Sequence, residues 1–144
     1  MSAVSAAVAC AGAVAAAAVD ARTGVLPNAL TRTTAIAALA SAAVGGELTP
    51  ALAGGVCTGG TLLALHLSTG GRGLGLGDVK LGVAIGAGCG VAGGIVALGA
   101  AFVLGGIYAT ALLGLRHAGR RDAIPFGPFL AAGTAVETLT SVFA

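Results

Sequence analysis

Long apolar stretches, separated by short polar or glycine-rich breaks, make up nearly the whole chain, and their lengths predict membrane-spanning helices. Six stretches can be delimited: Ser2–Val19, Ala29–Val44, Ala51–Ser68, Val79–Gly90, Val91–Leu115 and Ile124–Phe143. Most approach the ~20 residues that a helix needs to cross the hydrocarbon core. The charge-free run from Leu81 to Leu115 is too long for one helix, so the glycine-rich region 86–94 is predicted to divide it. The pattern predicts an all-α polytopic membrane helix bundle of about six transmembrane helices.

Composition points to a membrane protein of one domain. Hydrophobic residues make up 57% of the 144 and charged residues only 8%, whereas soluble domains carry about 25% charged residues. The 26 glycines favour helices that pack closely through small residues. We therefore expect residues 1–144 to form a single membrane-embedded domain without a soluble appendage. The three cysteines form no CxxC pair, and we interpret them as small apolar residues within spans.

The seven cations are unevenly distributed over the connections between the stretches. All belong to odd-numbered connections: Arg22 and Arg32 to the first, Arg72 and Lys80 to the third, and Arg116, Arg120 and Arg121 to the fifth. Lysine and arginine favour the cytoplasmic side of a membrane, so the odd connections are predicted to be cytoplasmic and both termini extracytoplasmic. A cleaved signal peptide is the alternative interpretation of the first stretch, but no basic residue precedes it.

Two of the five acidic residues, Asp20 and Asp78, stand where spans meet the predicted cytoplasmic face. A carboxylate beside a membrane segment is energetically expensive and usually has a function or a partner. Asp20 would lie at a helix C-terminus, where the dipole opposes its charge, and Asp78 at an N-terminus, where the dipole favours it. This asymmetry suits a pair that shares one proton, with Asp78 ionised to activate water and Asp20 protonated to polarise a carbonyl. The alternatives are a helix N-cap for Asp78 and an interfacial ion pair with Arg22 for Asp20.

Three motifs resemble those of the type IV prepilin peptidases, which are membrane aspartic proteases of the GxGD type. Residues 19–28 (VDARTGVLPN) resemble the first aspartate motif of that family, and residues 75–81 (GLGDVKL) resemble its GxGD motif with the following lysine. Residues 124–130 (IPFGPFL) are similar to the segment that opens its last helix. The resemblance implies that Asp20 and Asp78 are the catalytic pair of an aspartic endopeptidase.

The same resemblance implies a substrate and a location. The protein would remove the leader peptide from type IV pilin, pseudopilin or tight-adherence pilin precursors, at the cytoplasmic face of the bacterial cell membrane. Larger family members carry a region with paired CxxC motifs that is associated with N-methylation; the chain has no such motif and resembles the short, protease-only members. We expect cleavage without methylation, no cofactor or metal, and no nucleic-acid partner. The expected partners are prepilin-like substrates and membrane lipids.

Further residues of these motifs are candidates for binding substrate or shaping the site. Gly75 and Gly77 would let a substrate strand approach Asp78 closely. Lys80 would either act electrostatically on Asp78 or bind a lipid phosphate. The remaining candidates begin the second and last spans: Asn28, a candidate hydrogen-bond partner of Asp20, and Pro125, Gly127 and Pro128, which would leave backbone groups facing the site.

Glu137, well inside the sixth stretch, has no role in this scheme. One interpretation is a protonated acid bonded between helices, and another is a third functional acid. The alternative function is a small proton- or cation-coupled transporter subunit with Asp20, Asp78 and Glu137 as its ion path, since acids within spans commonly serve that purpose. Two of these three acids lie at one interface rather than across the membrane, which favours the peptidase. His66 is interpreted as a polar interfacial residue.

The distribution of cations gives a testable topology. A reporter fused after Ala144, or inserted near Glu47, should be extracytoplasmic, and one inserted near Gly119 should be cytoplasmic. The measurement is the activity of reporters that function on only one side of the membrane. A cytoplasmic C-terminus would require an odd number of spans and would contradict the predicted arrangement of the aspartates.

Overall fold

The protein is a bundle of helices. In a computed structural model, residues 2–24, 26–115 and 125–143 are described, without the side chain of Val142. These residues form five helices: α1 (Ala3–Thr23), α2 (Asn28–Val44), α3 (Leu48–Ser68), α4 (Leu76–Gly114) and α5 (Gly127–Phe143). Three of them, α1, α3 and α4, are long and apolar enough to cross a membrane. Exposed large apolar side chains occur on all five helices. The predicted all-α polytopic bundle is confirmed.

Helix α4 contains the division predicted for the glycine-rich region. Gly90 has φ 72° and ψ −174°, a conformation that glycine adopts easily and other residues rarely. A Cβ at Gly94 would lie 3.4 Å from the Cα of Gly86, although eight residues of continuous helix span about 12 Å. The chain therefore folds back on itself at Gly90. The helical segments 76–89 and 91–114 correspond to the fourth and fifth predicted stretches.

The other helix bounds differ from the predicted stretches mainly at their polar ends. Helix α1 continues past Val19 to Thr23, because Thr23 Oγ1 donates to Val19 O and the N–H of Gly24 donates to Asp20 O. Helix α3 begins at Leu48 rather than Ala51, because Pro50 falls in the first turn, where no intrahelical N–H is needed. Several predicted features lie outside the described residues: Val25, Arg116, His117, Arg120, Arg121, Ile124 and Ala144.

Helix α4 packs against each of the other four helices, and its contact with α3 is between backbones. A Cβ at Gly86 would overlap the carbonyl of Gly54, and a Cβ at Gly54 would overlap Gly86 and Gly90. The Thr58 hydroxyl lies 2.8 Å from Gly54 O and 2.7 Å from Gly82 O, so it joins the two helices. Small residues allow this close approach. Within a membrane the hydrophobic effect does not drive helix association, so helices commonly associate through such close packing.

Contacts at the ends of α1 show how the bundle is arranged around the aspartates. At its beginning, the N–H of Ser2 donates to Glu47 Oε2 at 2.6 Å, which joins the start of α1 to the α2–α3 turn. This bond lowers the pKa of the Glu47 carboxyl. At the other end, Asp20 lies beside the start of α5. The starts of α4 and α5 thus lie at the same end of the bundle as Asp20, opposite the α2–α3 turn.

The backbone contact between α3 and α4 predicts a sharp difference between two glycine substitutions. Gly86→Ala should destabilise the bundle by about 2 kcal/mol or more, because an added methyl in a close contact forces the backbone apart. Gly60→Ala, on α3, is the matched control, because a Cβ there meets open space. It should leave stability unchanged or raise it by up to about 1 kcal/mol, because alanine has the higher helix propensity. Unfolding in detergent measures both variants, and equal stabilities would contradict the packing described here.

Candidate functional site

Asp20 is buried in the last turn of α1 and is held by the beginning of another helix. It is 5% exposed, and its Oδ2 accepts the N–H of Gly127, the first residue of α5, at 3.1 Å. The first N–H groups of a helix have no partner within the helix, so this one is available to Asp20. A Cβ at Gly127 would lie 2.6 Å from Asp20 Oδ2. A glycine at position 127 therefore allows the close approach.

Asp78 is buried in the first turn of α4 and uses one oxygen to cap that helix. It is 7% exposed, and its Oδ2 accepts the N–H of Gly75, the N-cap residue, at 3.0 Å. The predicted N-cap role of Asp78 is therefore wrong, because the N-cap is Gly75. Asp78 stands three residues later and its side chain accepts the N–H of the N-cap residue, as in a capping box. The other oxygen, Oδ1, is buried and accepts no hydrogen bond from the described residues. A buried carboxylate oxygen without a donor is costly, so Oδ1 is suited to receive water or a substrate group.

The two carboxyls lie close enough for the charge of Asp20 to act on Asp78. The surroundings of Asp20 do not match the predicted ion pair, because Asp20 is buried and bonded to Gly127 whereas Arg22 is exposed. From the sequence, only the dipole of the helix that carries each aspartate could be inferred. The N-terminus of α5 also faces Asp20, and its positive end offsets the unfavourable C-terminus of α1. Both carboxyls therefore lie beside a helix N-terminus.

Asn28 and Lys80 interact with each other rather than with the aspartates. Lys80 Nζ donates to Asn28 Oδ1 at 2.6 Å, which joins the start of α4 to the start of α2. The predicted hydrogen bond from Asn28 to Asp20 is therefore replaced by one to Lys80, because Asn28 is exposed while the Asp20 carboxyl is directed toward α5. Lys80 follows Asp78 by two residues, and residues at that spacing do not share a helix face.

The remaining motif residues lie around the aspartates at the same end of the bundle. Gly75 is exposed beside Asp78. Gly77 packs against Leu26, because a Cβ added at Gly77 would lie only 2.8 Å from the Cβ of Leu26. Pro125 is exposed and Pro128 is half-buried.

An aromatic cluster that the sequence reasoning missed supports the start of α5. The ring of Phe126 lies 5.2 Å from that of Phe102 on α4 and 6.2 Å from that of Phe129. No spacing in the sequence identified the contact of Phe126 with Phe102, because these two residues are far apart in the chain.

Glu137 lies in a second buried polar cluster, away from the aspartates. It is 7% exposed, it interacts with the thiol of Cys89, and its Oε2 accepts no hydrogen bond from the described residues. Ten residues of helix separate Glu137 from Gly127, which corresponds to about 15 Å. Within the described ranges, no group of three or more His, Cys, Asp or Glu side chains could hold a metal ion.

Comparison with known proteins identifies the family of the chain. The model of the type IV leader peptidase family matches residues 7–110, a range that includes both aspartates and the GxGD motif. No curated protein and no solved structure matches the chain. The family match covers most of the chain, and long apolar helices are what a membrane-embedded member requires. The chain therefore belongs to the type IV leader peptidase family, and it is an integral membrane protein with the general peptidase function of that family.

Proposed function

We propose that the protein is an aspartic endopeptidase of the GxGD type in which Asp20 and Asp78 act together on a peptide bond. The observation that carries this proposal is that both carboxyls are buried, at 5% and 7% exposed, each beside a helix N-terminus, and interact electrostatically with each other. Among the described residues each accepts one backbone N–H, through Oδ2, which leaves Oδ1 for chemistry. Residues 1–144 would act as one membrane-embedded peptidase domain.

In the proposed reaction the two carboxyls share one proton, and the proton belongs to the pair rather than to one residue. The ionised carboxylate takes a proton from water while the water oxygen attacks the scissile carbonyl carbon. The protonated carboxyl donates to the carbonyl oxygen and stabilises the charge that develops there. The tetrahedral intermediate then collapses: the amide nitrogen receives the proton that the carboxylate took from water, the C–N bond breaks, and the amine leaves. Asp78 Oδ1, which lacks a donor among the described residues, is available to the attacking water.

The surrounding residues would shape the site rather than take part in bond breaking. Exposed Gly75 leaves room for a substrate strand beside Asp78, and the pair of Lys80 with Asn28 would fix α2 against α4 at the entrance. The start of the last helix would hold Asp20 in position through the segment formed by Pro125, Gly127 and Pro128.

We propose prepilin-like precursors as substrates, cut at the cytoplasmic face of a bacterial cell membrane. Such a substrate would keep its short leader in the cytoplasm and its apolar helix in the lipid beside the exposed side chains of the bundle. The arginines of the odd connections would contact anionic lipid headgroups on that side. Family membership favours this function over the transporter alternative.

Replacing either aspartate should stop cleavage without unfolding the protein. Asp20→Asn and Asp78→Asn should each lower the cleavage rate by about 10²- to 10⁴-fold, which is the contribution of a positioned acid or base. The measurement is cleavage of a prepilin-like precursor by protein purified in detergent, with helix content and thermal unfolding recorded for each variant.

Glu137→Gln is the matched control, because Glu137 is as buried as Asp78 but lies in the second polar cluster. It should keep cleavage within about threefold of the unmodified protein, an effect of the size of a lost hydrogen bond. Near-normal turnover by either folded Asn variant would refute the aspartate pair. Loss of turnover in Glu137→Gln would make Glu137 a third functional acid.

A further inference from the structure

His66, in the last turn of α3, contacts the loop that leads into the GxGD motif. Its ring Nδ1 lies 2.7 Å from the carbonyl oxygen of Leu74. A backbone carbonyl oxygen can only accept a hydrogen bond, so Nδ1 carries a hydrogen and donates it. The sequence interpretation of His66 as a polar interfacial residue did not include this bond, which joins residues eight positions apart across a loop.

The loop itself is built closely around the His66 ring. Gly71 has φ 75°, its N–H donates to His66 O at 2.8 Å, and a Cβ there would lie 3.1 Å from the ring Cε1. A side chain at position 71 would therefore be both strained and crowded against the imidazole. At the far end of the loop, the Leu74 side chain is 7% exposed and belongs to the core. The ring is thus fixed in place against one particular peptide group.

That peptide group also contacts Asp78. The carbonyl of Leu74 and the N–H of Gly75 belong to the same peptide bond, and the Gly75 N–H donates to Asp78 Oδ2 at 3.0 Å. His66 therefore donates to one end of a peptide group whose other end donates to the carboxylate. Hydrogen bonds in such a chain polarise and strengthen one another, especially away from water.

We propose that His66 is a positioning residue that holds the Leu74–Gly75 peptide in the orientation in which its N–H fixes Asp78. This inference rests on the proposed role of Asp78 in hydrolysis. His66 acts through the peptide and does not itself contact the carboxylate. With Oδ2 held by Gly75, the free oxygen Oδ1 keeps one orientation toward the reacting water. Without the His66 bond the peptide can rotate and Asp78 loses both its position and part of its stabilisation.

The effect should appear in kcat rather than in KM. A contact that orients a catalytic carboxylate contributes to the transition state, whereas the ground-state binding of a long leader peptide depends on surfaces elsewhere. Loss of one hydrogen bond of this kind should lower kcat roughly three- to tenfold.

Two substitutions separate the hydrogen bond from the packing of the ring. His66→Phe keeps a ring of similar shape but has no donor, whereas His66→Asn loses the ring but keeps an N–H near the position of Nδ1. The matched control is Ser68→Ala, two residues away, which removes a local hydrogen bond to Leu65 O that does not involve the loop peptide. Steady-state cleavage of a prepilin-like precursor gives kcat and KM for all three variants.

We expect kcat to fall in His66→Phe with KM unchanged, to recover in His66→Asn, and to stay at the unmodified value in Ser68→Ala. As a second measurement, the Gly75 amide proton in protein labelled with ¹³C-carbonyl leucine and ¹⁵N-glycine should shift upfield in His66→Phe. Its resonance is identified by its disappearance in Gly75→Ala, and this measurement does not depend on turnover.

Full activity of His66→Phe together with an unmoved Gly75 amide would overturn the proposal, as would a loss in His66→Asn that exceeds the loss in His66→Phe. In both cases Asp78→Asn remains inactive, so only the positioning role is lost. If Asp78→Asn is itself active, the proposed function fails instead.

Discussion

The N–H groups at the beginnings of α4 and α5 make two carboxyls tolerable inside an apolar bundle. A buried carboxylate costs several kcal/mol unless it is paired or hydrogen-bonded, and a helix N-terminus supplies both N–H groups and a favourable dipole. Gly127 supplies one to Asp20, and Gly75 supplies one to Asp78. The same bonds satisfy helix ends that would otherwise be unpaired at membrane depth. Because the described part of the chain holds each carboxyl through Oδ2 alone, the arrangement leaves the pair able to bind water and exchange a proton.

Close contacts between small residues bring these helix ends together. The reversal at Gly90 returns the chain so that the second segment of α4 can pack against α5, where a Cβ at Gly133 would overlap the backbone of Ala97. The contact of Gly54 with Gly86 holds the first segment against α3. Backbones packed this closely leave no room for an added methyl group, because the helix that carries it would have to move. The glycine content from which close helix packing was predicted thus also influences where Asp20 and Asp78 lie.

The sequence predicted what depends on local pattern and missed what depends on contacts between helices. Helix lengths, the break near Gly90 and the motif resemblance follow from the order of residues, and family membership was identified correctly from them. The end of α1 at Thr23 was missed because the Gly24 cap extends the helix beyond the last apolar residue. The partners of Asn28 and His66, which are Lys80 and Leu74, were missed because no periodicity relates residues across a loop or between helices. Asp20 does lie at the C-terminal end of α1 as predicted, but the opposing N-terminus of α5 was missed for the same reason, since α5 approaches it from a distant part of the chain.

The central claim is that Asp20 and Asp78 together bind the tetrahedral centre formed when water attacks the scissile carbonyl. The most direct test is the affinity of an uncleavable leader peptide whose scissile amide is replaced by a hydroxyl-bearing isostere, compared with the same peptide carrying a plain methylene isostere. The unmodified protein should bind the hydroxyl form at least about 10²-fold more tightly, as expected for a transition-state mimic. Asp20→Asn and Asp78→Asn should each lose that preference while still binding the methylene form. A preference that persists in either variant, or that is absent in the unmodified protein, would contradict the account.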